Sequence, residues 1–156
     1  MALDSKAPLP KRPRLKNFNY RGTYAYSITI LTKDRTVRFK DAEVVNNLFN
    51  LLTETARTKG FKVFVYCFMP DHLHLLVTGM DDQSNLKKFV SLFKQKSGYW
   101  FKKSYGENLW HISYYDHILR KEESLERAAS YILQNPVRKG MVPDFREYPF
   151  CGSFAG

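Results

Sequence analysis

The sequence is poor in cysteine and has no long apolar run. Its two cysteines, Cys67 and Cys151, are too few and too far apart for a disulfide framework or a zinc-binding pattern. No stretch is apolar for long enough to predict a membrane span, and the N-terminal residues lack the apolar segment of a secretory signal. We therefore expect a protein of a reducing cytoplasm with no membrane partner.

Acidic residues are scarce relative to basic ones. Fifteen Asp and Glu stand against 25 Lys and Arg, which gives a formal net charge of +10. This excess indicates a polyanionic partner, most commonly nucleic acid. A basic surface that serves only solubility is the simpler alternative. The clustering of the basic residues argues against it, since six lysines crowd one predicted helix: Lys87, Lys88, Lys94, Lys96, Lys102 and Lys103.

The composition divides the chain into an arm and one domain. Residues 1–18 are rich in Pro, Lys and Arg with little to bury, which predicts a disordered basic arm. Residues 19–156 suit a single domain with a core of ordinary size. No internal repeat or linker divides this second part.

Hydrophobic periodicity predicts the element order β-α-β-β-α-β-α. Strands are predicted at 23–30, 61–69, 72–79 and 109–119, and helices at 41–60, 84–104 and 121–140. Pro136 should break or kink the last helix. The pattern indicates an α+β domain, with an antiparallel sheet and helices packed on one face.

One predicted strand carries two histidines. Side chains alternate along a strand, so His72 and His74 share one face while Leu73 and Leu75 point to the core. Two imidazoles on one strand face can bind a single metal ion. Taken alone, a His-Leu-His segment more often holds two ordinary surface or core histidines, so a metal site needs a further residue elsewhere.

The last predicted helix supplies a candidate. Tyr131 and Asn135 lie four residues apart and so share a helical face. The neighbouring stripe of Leu125, Ala129 and Ile132 should dock this helix on the sheet. Singly, Tyr131 is read most simply as a half-buried aromatic and Asn135 as a helix-ending residue.

Three segments together resemble the HUH single-tyrosine transposases, where HUH denotes His–hydrophobic–His. They are MPDHLHLLV at 69–77, WHISYYDHILR at 110–120 and YILQNPVRKG at 131–140. The similarity is greatest to the REP-associated tyrosine transposases and small insertion-sequence enzymes. This resemblance implies a ferredoxin-like fold and a prokaryotic, nucleoid-associated endonuclease and strand transferase. Such an enzyme cuts and rejoins single-stranded DNA beside hairpins of palindromic repeats.

The resemblance also implies roles for individual residues. His72 and His74 match the metal-binding pair, Tyr131 matches the nucleophile, and Asn135 matches the helix position that completes the metal site. Insertion-sequence members usually have Gln at that last position, so the neighbouring Gln134 stays open as an alternative ligand.

Four residues of the segment 110–120 are further candidates for a place in the site. Tyr114 and Tyr115 rank below Tyr131 as nucleophiles, because strand residues are expected in the core or on a sheet face. His111 and His117 are interpreted as structural or as supporting the site. Asp71 either orients His72 or is a simple turn residue.

The implied chemistry needs a divalent cation, Mg²⁺ or Mn²⁺. Such a cation polarises a nonbridging oxygen of the scissile phosphate, and two imidazoles with an amide oxygen suit Mn²⁺ best. A tyrosine attack would leave a 5′-phosphotyrosine and a free 3′-hydroxyl. The covalent link conserves the bond energy, which agrees with the absence of a Gly-rich phosphate loop from the sequence.

DNA phosphates should be contacted by basic residues in four parts of the chain, with salt-dependent affinity. The candidates are Arg12, Arg14, Lys16, Lys88, Lys94, Arg120 and Arg138. Two other functions remain open, a noncatalytic (domesticated) protein that binds hairpins or single strands, and a metallonuclease that uses activated water. Relatives work as monomers or as homodimers that exchange the tyrosine helix, and the sequence does not distinguish these states.

Overall fold

The fold is described by a computed structural model for residues 19–120 and 123–154. The predicted basic arm, with Arg12, Arg14 and Lys16, lies outside the described residues. The strands are β1 (Ala25–Thr32), β2 (Phe61–Met69), β3 (His72–Gly79), β4 (Trp110–Ile118) and β5 (Cys151–Ser153). The helices are α1 (Ala42–Lys59), α2 (Leu86–Tyr105), α3 (Leu125–Leu133) and α4 (Asn135–Arg138), with short 3-10 turns at Lys33–Arg35 and Phe145–Glu147.

The five strands form one antiparallel sheet in the order β4-β1-β3-β2-β5. With α1 after β1 and α2 after β3, this is the ferredoxin-like arrangement that the family resemblance implied, and it confirms the α+β domain predicted from the residue pattern. The short β5 was not predicted. The predicted helix 121–140 divides into α3 and α4 at Gln134, two residues before Pro136, because a proline has no amide to donate to the carbonyl oxygen four residues earlier and its ring clashes with that turn.

Side-chain caps fix the helix starts. The Asp41 side chain accepts a hydrogen bond from the Glu43 amide, Asn85 accepts one from Lys88, and Ser124 accepts one from Arg127. Gly60 ends α1 with a left-handed φ of 76°, which glycine adopts without steric cost. The sequence therefore sets the boundaries of the helices that cover the sheet.

The helices divide between the two faces of the sheet. On one face α1 and α2 enclose the larger core, in which Leu73 and Leu75 of β3 lie fully buried. On the other face Ile132 of α3 packs with Cys67 and Leu76. The expected placement of helices on a single face thus describes α1 and α2, whereas α3 covers the opposite side. Because β3 is central and covered on both faces, its histidines lie inside the fold rather than on an open surface.

Within the described residues, no helix combines the length and apolarity needed to cross a membrane.

Candidate active site on the histidine face

The side chains of His72 and His74 converge on the face of the sheet that α3 covers, which we call the histidine face. His72 is 3% exposed and His74 is half-buried. Their Nε2 atoms lie 3.1 Å apart, and the two rings are perpendicular, with centroids 4.7 Å apart. Strand alternation places both rings on one side, as the sequence predicted, and the packing turns their nitrogens toward a common point.

Asp71 orients His72. Its Oδ1 atom lies 2.7 Å from His72 Nδ1, and its Oδ2 accepts a hydrogen bond from Arg35 Nε at 3.0 Å. Burial raises the pKa of Asp71, but the hydrogen bond from His72 and the Arg35 charge outweigh burial and hold the pKa below its usual value. The ionised carboxylate therefore accepts a hydrogen bond from the Nδ1–H of His72, which in the neutral ring leaves the lone pair on Nε2. Of the two roles weighed for Asp71, these contacts favour orientation.

Arg35 reaches Asp71 from a left-handed turn. Asp34 and Arg35 have φ values of 57° and 55°, a conformation that costs a non-glycine residue about 1–2 kcal/mol. The end of β1 is tied to the same place, because the Thr32 amide donates to the Asp71 carbonyl oxygen at 3.0 Å. The Thr32 hydroxyl lies between this oxygen, at 3.1 Å, and the Thr36 carbonyl oxygen, at 2.7 Å. The end of β1 and the turn after it thus fix the position of both the Asp71 backbone and the Asp71 carboxylate.

Thr29 supports His74. The Thr29 Oγ1 atom lies 3.1 Å from His74 Nδ1, and the two residues are direct partners in the β1–β3 pairing. Burial lowers the pKa of His74 well below its ordinary value, and the charges of His72, Arg138 and Lys139 lower it further. The imidazole is therefore held neutral, which is the form that binds metals.

Tyr131 is exposed beside the same face. It lies on α3, its side chain is 65% exposed, and the Arg138 guanidinium carbon is 3.8 Å from the centroid of its ring. Arg138 Nη2 also donates to Asn135 Oδ1 at 3.3 Å, and Asn135 is 5% exposed. Arg138 therefore joins the predicted nucleophile to the predicted amide ligand, and its charge acts on His74.

The histidine pair fits a divalent cation. Two nitrogens in adjacent positions about 2.0–2.1 Å from one ion are about 3 Å apart, close to the separation of the Nε2 atoms. In the described residues, no group of three or more His, Cys, Asp or Glu side chains is arranged to hold a metal. A third protein ligand would therefore be the amide oxygen of Asn135 or of the half-buried Gln134, with water and phosphate completing the shell.

The two competing tyrosines lie on opposite faces. Tyr115 pairs with Thr29 and therefore shares the histidine face, whereas Tyr114 pairs with Ile30 and packs against the larger core. Both histidines of this strand have local contacts that fit a structural interpretation. His111 Nδ1 accepts a hydrogen bond from the Ser113 amide, and His117 Nε2 lies 2.9 Å from a carboxylate oxygen of Glu123.

The predicted DNA contacts differ in their surroundings. Lys88, Arg120 and Arg138 are exposed. Lys94 is half-buried, and its ammonium donates to the carbonyl oxygens of His111 and Ile112 at 2.8 and 3.1 Å, which ties α2 to β4. All four assignments stay predictions.

Thr29 and Arg35 were missed from the sequence. Each meets the histidine motif only through a contact between residues far apart in the chain, Thr29 through the β1–β3 register and Arg35 through the turn after β1. The sequence did place Thr29 in the first predicted strand. Only the β1–β3 register shows that it lies beside His74.

Comparisons with known proteins identify a family. Residues 21–135 match the family described as "Transposase IS200 like". A Haemophilus influenzae protein, provisionally named a REP-associated tyrosine transposase, is 26% identical over 147 residues, which cover 85% of this chain and 83% of that protein. The REP-associated tyrosine transposase of Escherichia coli K12 is 24% identical over 107 residues, 66% of this chain and 61% of that protein.

A solved structure shares the fold. It is that of a REP-associated tyrosine transposase bound to a REP hairpin, and it aligns with a TM-score of 0.69 at 17% identity. The alignment covers 90% of this chain and 82% of the other. Since the family match spans most of the sequence and includes the strands β1 to β4 and the helix α3, the chain belongs to the IS200-like transposase family.

Proposed function

We propose that this transposase cuts and rejoins single-stranded DNA beside a hairpin, with a divalent cation and a 5′-phosphotyrosine on Tyr131. One observation carries the proposal: two convergent imidazoles, each held by a partner, lie on the face of the sheet that the tyrosine helix covers. A buried polar side chain costs stability unless it has a hydrogen-bond partner, so a central strand usually carries apolar residues. Two paired imidazoles in that position are therefore typical of a site with a chemical role.

His72 and His74 would hold the cation, together with Asn135 or Gln134. When bound, Mg²⁺ or Mn²⁺ supplies Lewis acidity to a nonbridging oxygen of the scissile phosphate. The chain prepares this site by fixing the protons of both imidazoles. The Asp71 carboxylate would accept a hydrogen bond from the Nδ1–H of His72, and the Thr29 hydroxyl would accept one from the Nδ1–H of His74, so both Nε2 lone pairs would face the site.

Tyr131 would attack the phosphorus. A bond forms between the phenol oxygen and phosphorus, the bond to the 3′-oxygen breaks, and the phenol proton leaves to solvent while the departing 3′-oxygen takes one up. Arg138 packs on the Tyr131 ring, and its positive charge favours the oxygen anion as the attack develops. Attack of a second 3′-hydroxyl on the phosphotyrosine reverses the step, so strand transfer needs no nucleotide cofactor.

The relatives support a hairpin as the DNA feature that is recognised. Two of them are named for REP-associated transposition, and one structure of the same fold has a REP hairpin bound. The net charge of +10 suits phosphate contacts from Lys88, Lys94, Arg120, Arg138 and the N-terminal arm. The monomer and the helix-exchanged homodimer both remain compatible with this function.

The test is an oligonucleotide assay with a hairpin and a single-stranded flank. In Mn²⁺ the wild-type protein should form a covalent protein–DNA adduct on a denaturing gel, and Tyr131→Phe should form none while hairpin binding persists. Tyr115→Phe is the matched control, because this tyrosine shares the histidine face but lies on a strand. Adducts that persist in Tyr131→Phe would refute the assignment of the nucleophile.

A noncatalytic hairpin-binding protein is the second candidate. It is favoured by the Asn135 amide oxygen, which already accepts a hydrogen bond from Arg138 and is one methylene shorter in reach than glutamine. This candidate predicts hairpin binding of ordinary affinity with no cleavage in Mg²⁺, Mn²⁺ or other divalent metals. A metallonuclease, by contrast, would cleave without leaving an adduct.

A further inference from the structure

A cavity of about 790 Å³ opens beside Tyr131, between α3 and the strands β1 and β4. The sheet contributes Ser27 and His117 to its wall, which are direct partners in the β1–β4 pairing. Ser27 also pairs with Leu76, a residue of the core on the histidine face, so the cavity lies on the same side of the sheet as the histidine pair. Tyr131 itself lines the cavity, but the reaction described above assigns no part of the DNA to this space.

The floor of the cavity is apolar. It is formed by Leu119, Ala128 and Ile132, which all pack with the smaller core of the histidine face. An apolar floor does not suit a phosphate or another strongly hydrated anion, because burial there would cost the anion its water. A flat, uncharged ring system fits such a floor and can pack against it.

The rim of the cavity is polar and carries charges of both signs. Glu123 accepts hydrogen bonds from the Arg120 amide at 2.6 Å and lies 2.9 Å from His117 Nε2. The backbone hydrogen bond and then the His117 contact lower the pKa of Glu123, so its carboxylate stays ionised. The exposed Arg127 lies one helical turn before Tyr131, where it can contact a phosphate of a strand that passes the nucleophile.

We propose that this cavity holds the unpaired base of the nucleotide next to the phosphate that Tyr131 attacks, and that Glu123 selects a base with an exocyclic amino group. A carboxylate accepts a hydrogen bond from the amino group of cytosine, adenine or guanine, and thymine has no such group. The inference rests on the proposed function, because it takes the position of the phosphate from Tyr131. A base turned out of a strand into a pocket of this kind is read at its hydrogen-bonding edge.

Two variants of the full chain address the floor and the rim. Ala128→Leu fills the floor, and Ser130→Leu is its matched control, since Ser130 lies exposed on the same helix and does not line the cavity. Glu123→Gln keeps the size of the side chain but removes its charge and offers an amide in place of two acceptor oxygens. Because Glu123 precedes α3, this variant also keeps the proposal testable if Ala128→Leu disturbs the packing of the helix.

The measurement is the affinity of a fluorescent hairpin oligonucleotide whose flank carries one abasic site, moved a nucleotide at a time. In the wild type, one position should weaken binding by about 10-fold, the scale of one packed base. Ala128→Leu should remove this position dependence, and Ser130→Leu should retain it. At the same position, replacing cytosine by thymine should weaken wild-type binding by about 5–10-fold, and Glu123→Gln should abolish this preference.

The outcomes separate the cavity from the proposed function. If no single position matters in the wild type, or if Ala128→Leu and Ser130→Leu behave alike and Glu123→Gln keeps the preference, the cavity does not bind a base, even where adducts on Tyr131 still form. If the position dependence and its loss in Ala128→Leu are seen without any covalent adduct, the base site stands and the proposed cleavage fails.

Discussion

The two faces of the central strand β3 differ in kind, although their side chains alternate along the same eight residues. Leu73, Leu75 and Val77 point toward α1 and α2 and are fully buried in a core of aromatic and aliphatic residues. His72 and His74 point the other way, toward the layer of α3, and each has a polar partner. The first face supplies stability, and the second gives up part of its apolar contact for a polar site.

This difference shows that the two faces of one strand tolerate substitution to different degrees. Apolar side chains tolerate exchanges of similar volume, so many sequences would build the larger core. The histidine face needs specific atoms, because the Asp71 carboxylate and the Thr29 hydroxyl must meet particular ring nitrogens. Substitutions on the two faces should therefore affect different observables.

Removal of either imidazole should have the largest effect. We expect His72→Ala and His74→Ala to lower the rate of adduct formation on the order of 10³-fold, because the Lewis acid contributes several kcal/mol to phosphoryl transfer. Single-turnover cleavage in Mn²⁺ measures this loss. His111→Ala is the control, and an equal loss in that variant would show that the effect is not specific to the pair.

Truncation of the larger core should instead lower stability. Phe93→Ala removes a side chain that is 1% exposed and packs beside Trp110, and such changes cost about 3–5 kcal/mol. Chemical denaturation measures the free energy of unfolding, and calorimetry measures Mn²⁺ affinity in the folded fraction. Stability should fall while Mn²⁺ affinity stays within about 3-fold of the wild type. A loss of Mn²⁺ affinity as large as that of His72→Ala would contradict the separation of the two faces.

Loss of Arg35 should affect the metal site from outside it. Arg35→Met keeps the aliphatic stem but leaves the buried Asp71 carboxylate without its ion pair, and changes in residues that orient a ligand lower metal affinity about 10–100-fold. Titration of Mn²⁺ measures the affinity. The matched control is Arg57→Met, an exposed arginine on α1, which covers the face of the sheet opposite the histidine pair. Unchanged affinity in Arg35→Met would show that Asp71 holds His72 without Arg35.

The smallest effect should be a pH dependence of stability. Burial, followed by nearby positive charge, lowers the pKa of His74 well below 6.5, so the native ring stays neutral while the unfolded ring takes up a proton. The unfolded state then binds more protons as the pH falls. Protonation of His74 in the unfolded state therefore does not lower the free energy of unfolding above about pH 6.5. Below that pH it lowers this free energy by up to about 1.4 kcal/mol per pH unit.

Thermal unfolding in a chelator, between about pH 7 and pH 5, tests this sign. His74→Gln should show a weaker decrease of stability than the wild type, and His111→Gln should show the wild-type slope. A steeper slope in His74→Gln would mean that the native ring takes up the proton instead.

Much of the fold could be predicted because it depends on local patterns. The strands β2 and β3 begin and end at the predicted residues, and the break near Pro136 follows from its missing amide and from the clash of its ring with the preceding turn. The short β5 could not be predicted, since the three residues Cys151–Ser153 show no periodicity and form a strand only by pairing with β2. The placement of α3 on the second face likewise depends on packing between distant segments.

The site was predictable in its reactive groups and not in its supports. The spacing of His72 and His74 gave their common face, and the resemblance to a family gave Tyr131 and Asn135 their roles. The contact of Arg35 with Asp71 depends on two consecutive left-handed residues, Asp34 and Arg35. Aspartate adopts this conformation more readily than arginine does, but no local pattern indicates such a pair. Arg138 contacts Asn135 within α4, three residues away, whereas its contact with the Tyr131 ring spans the break between α3 and α4.

Paramagnetic relaxation measures most directly whether Tyr131 lies close to a cation bound by His72 and His74. The protein would be labelled with fluorotyrosine, the Tyr131 resonance assigned by its loss in Tyr131→Phe, and Mn²⁺ added to the complex with hairpin DNA. We predict that Mn²⁺ strongly broadens the Tyr131 fluorine signal and that His72→Ala with His74→Ala abolishes this broadening. A Tyr131 signal that stays sharp while Mn²⁺ is bound at the histidine pair would contradict the account.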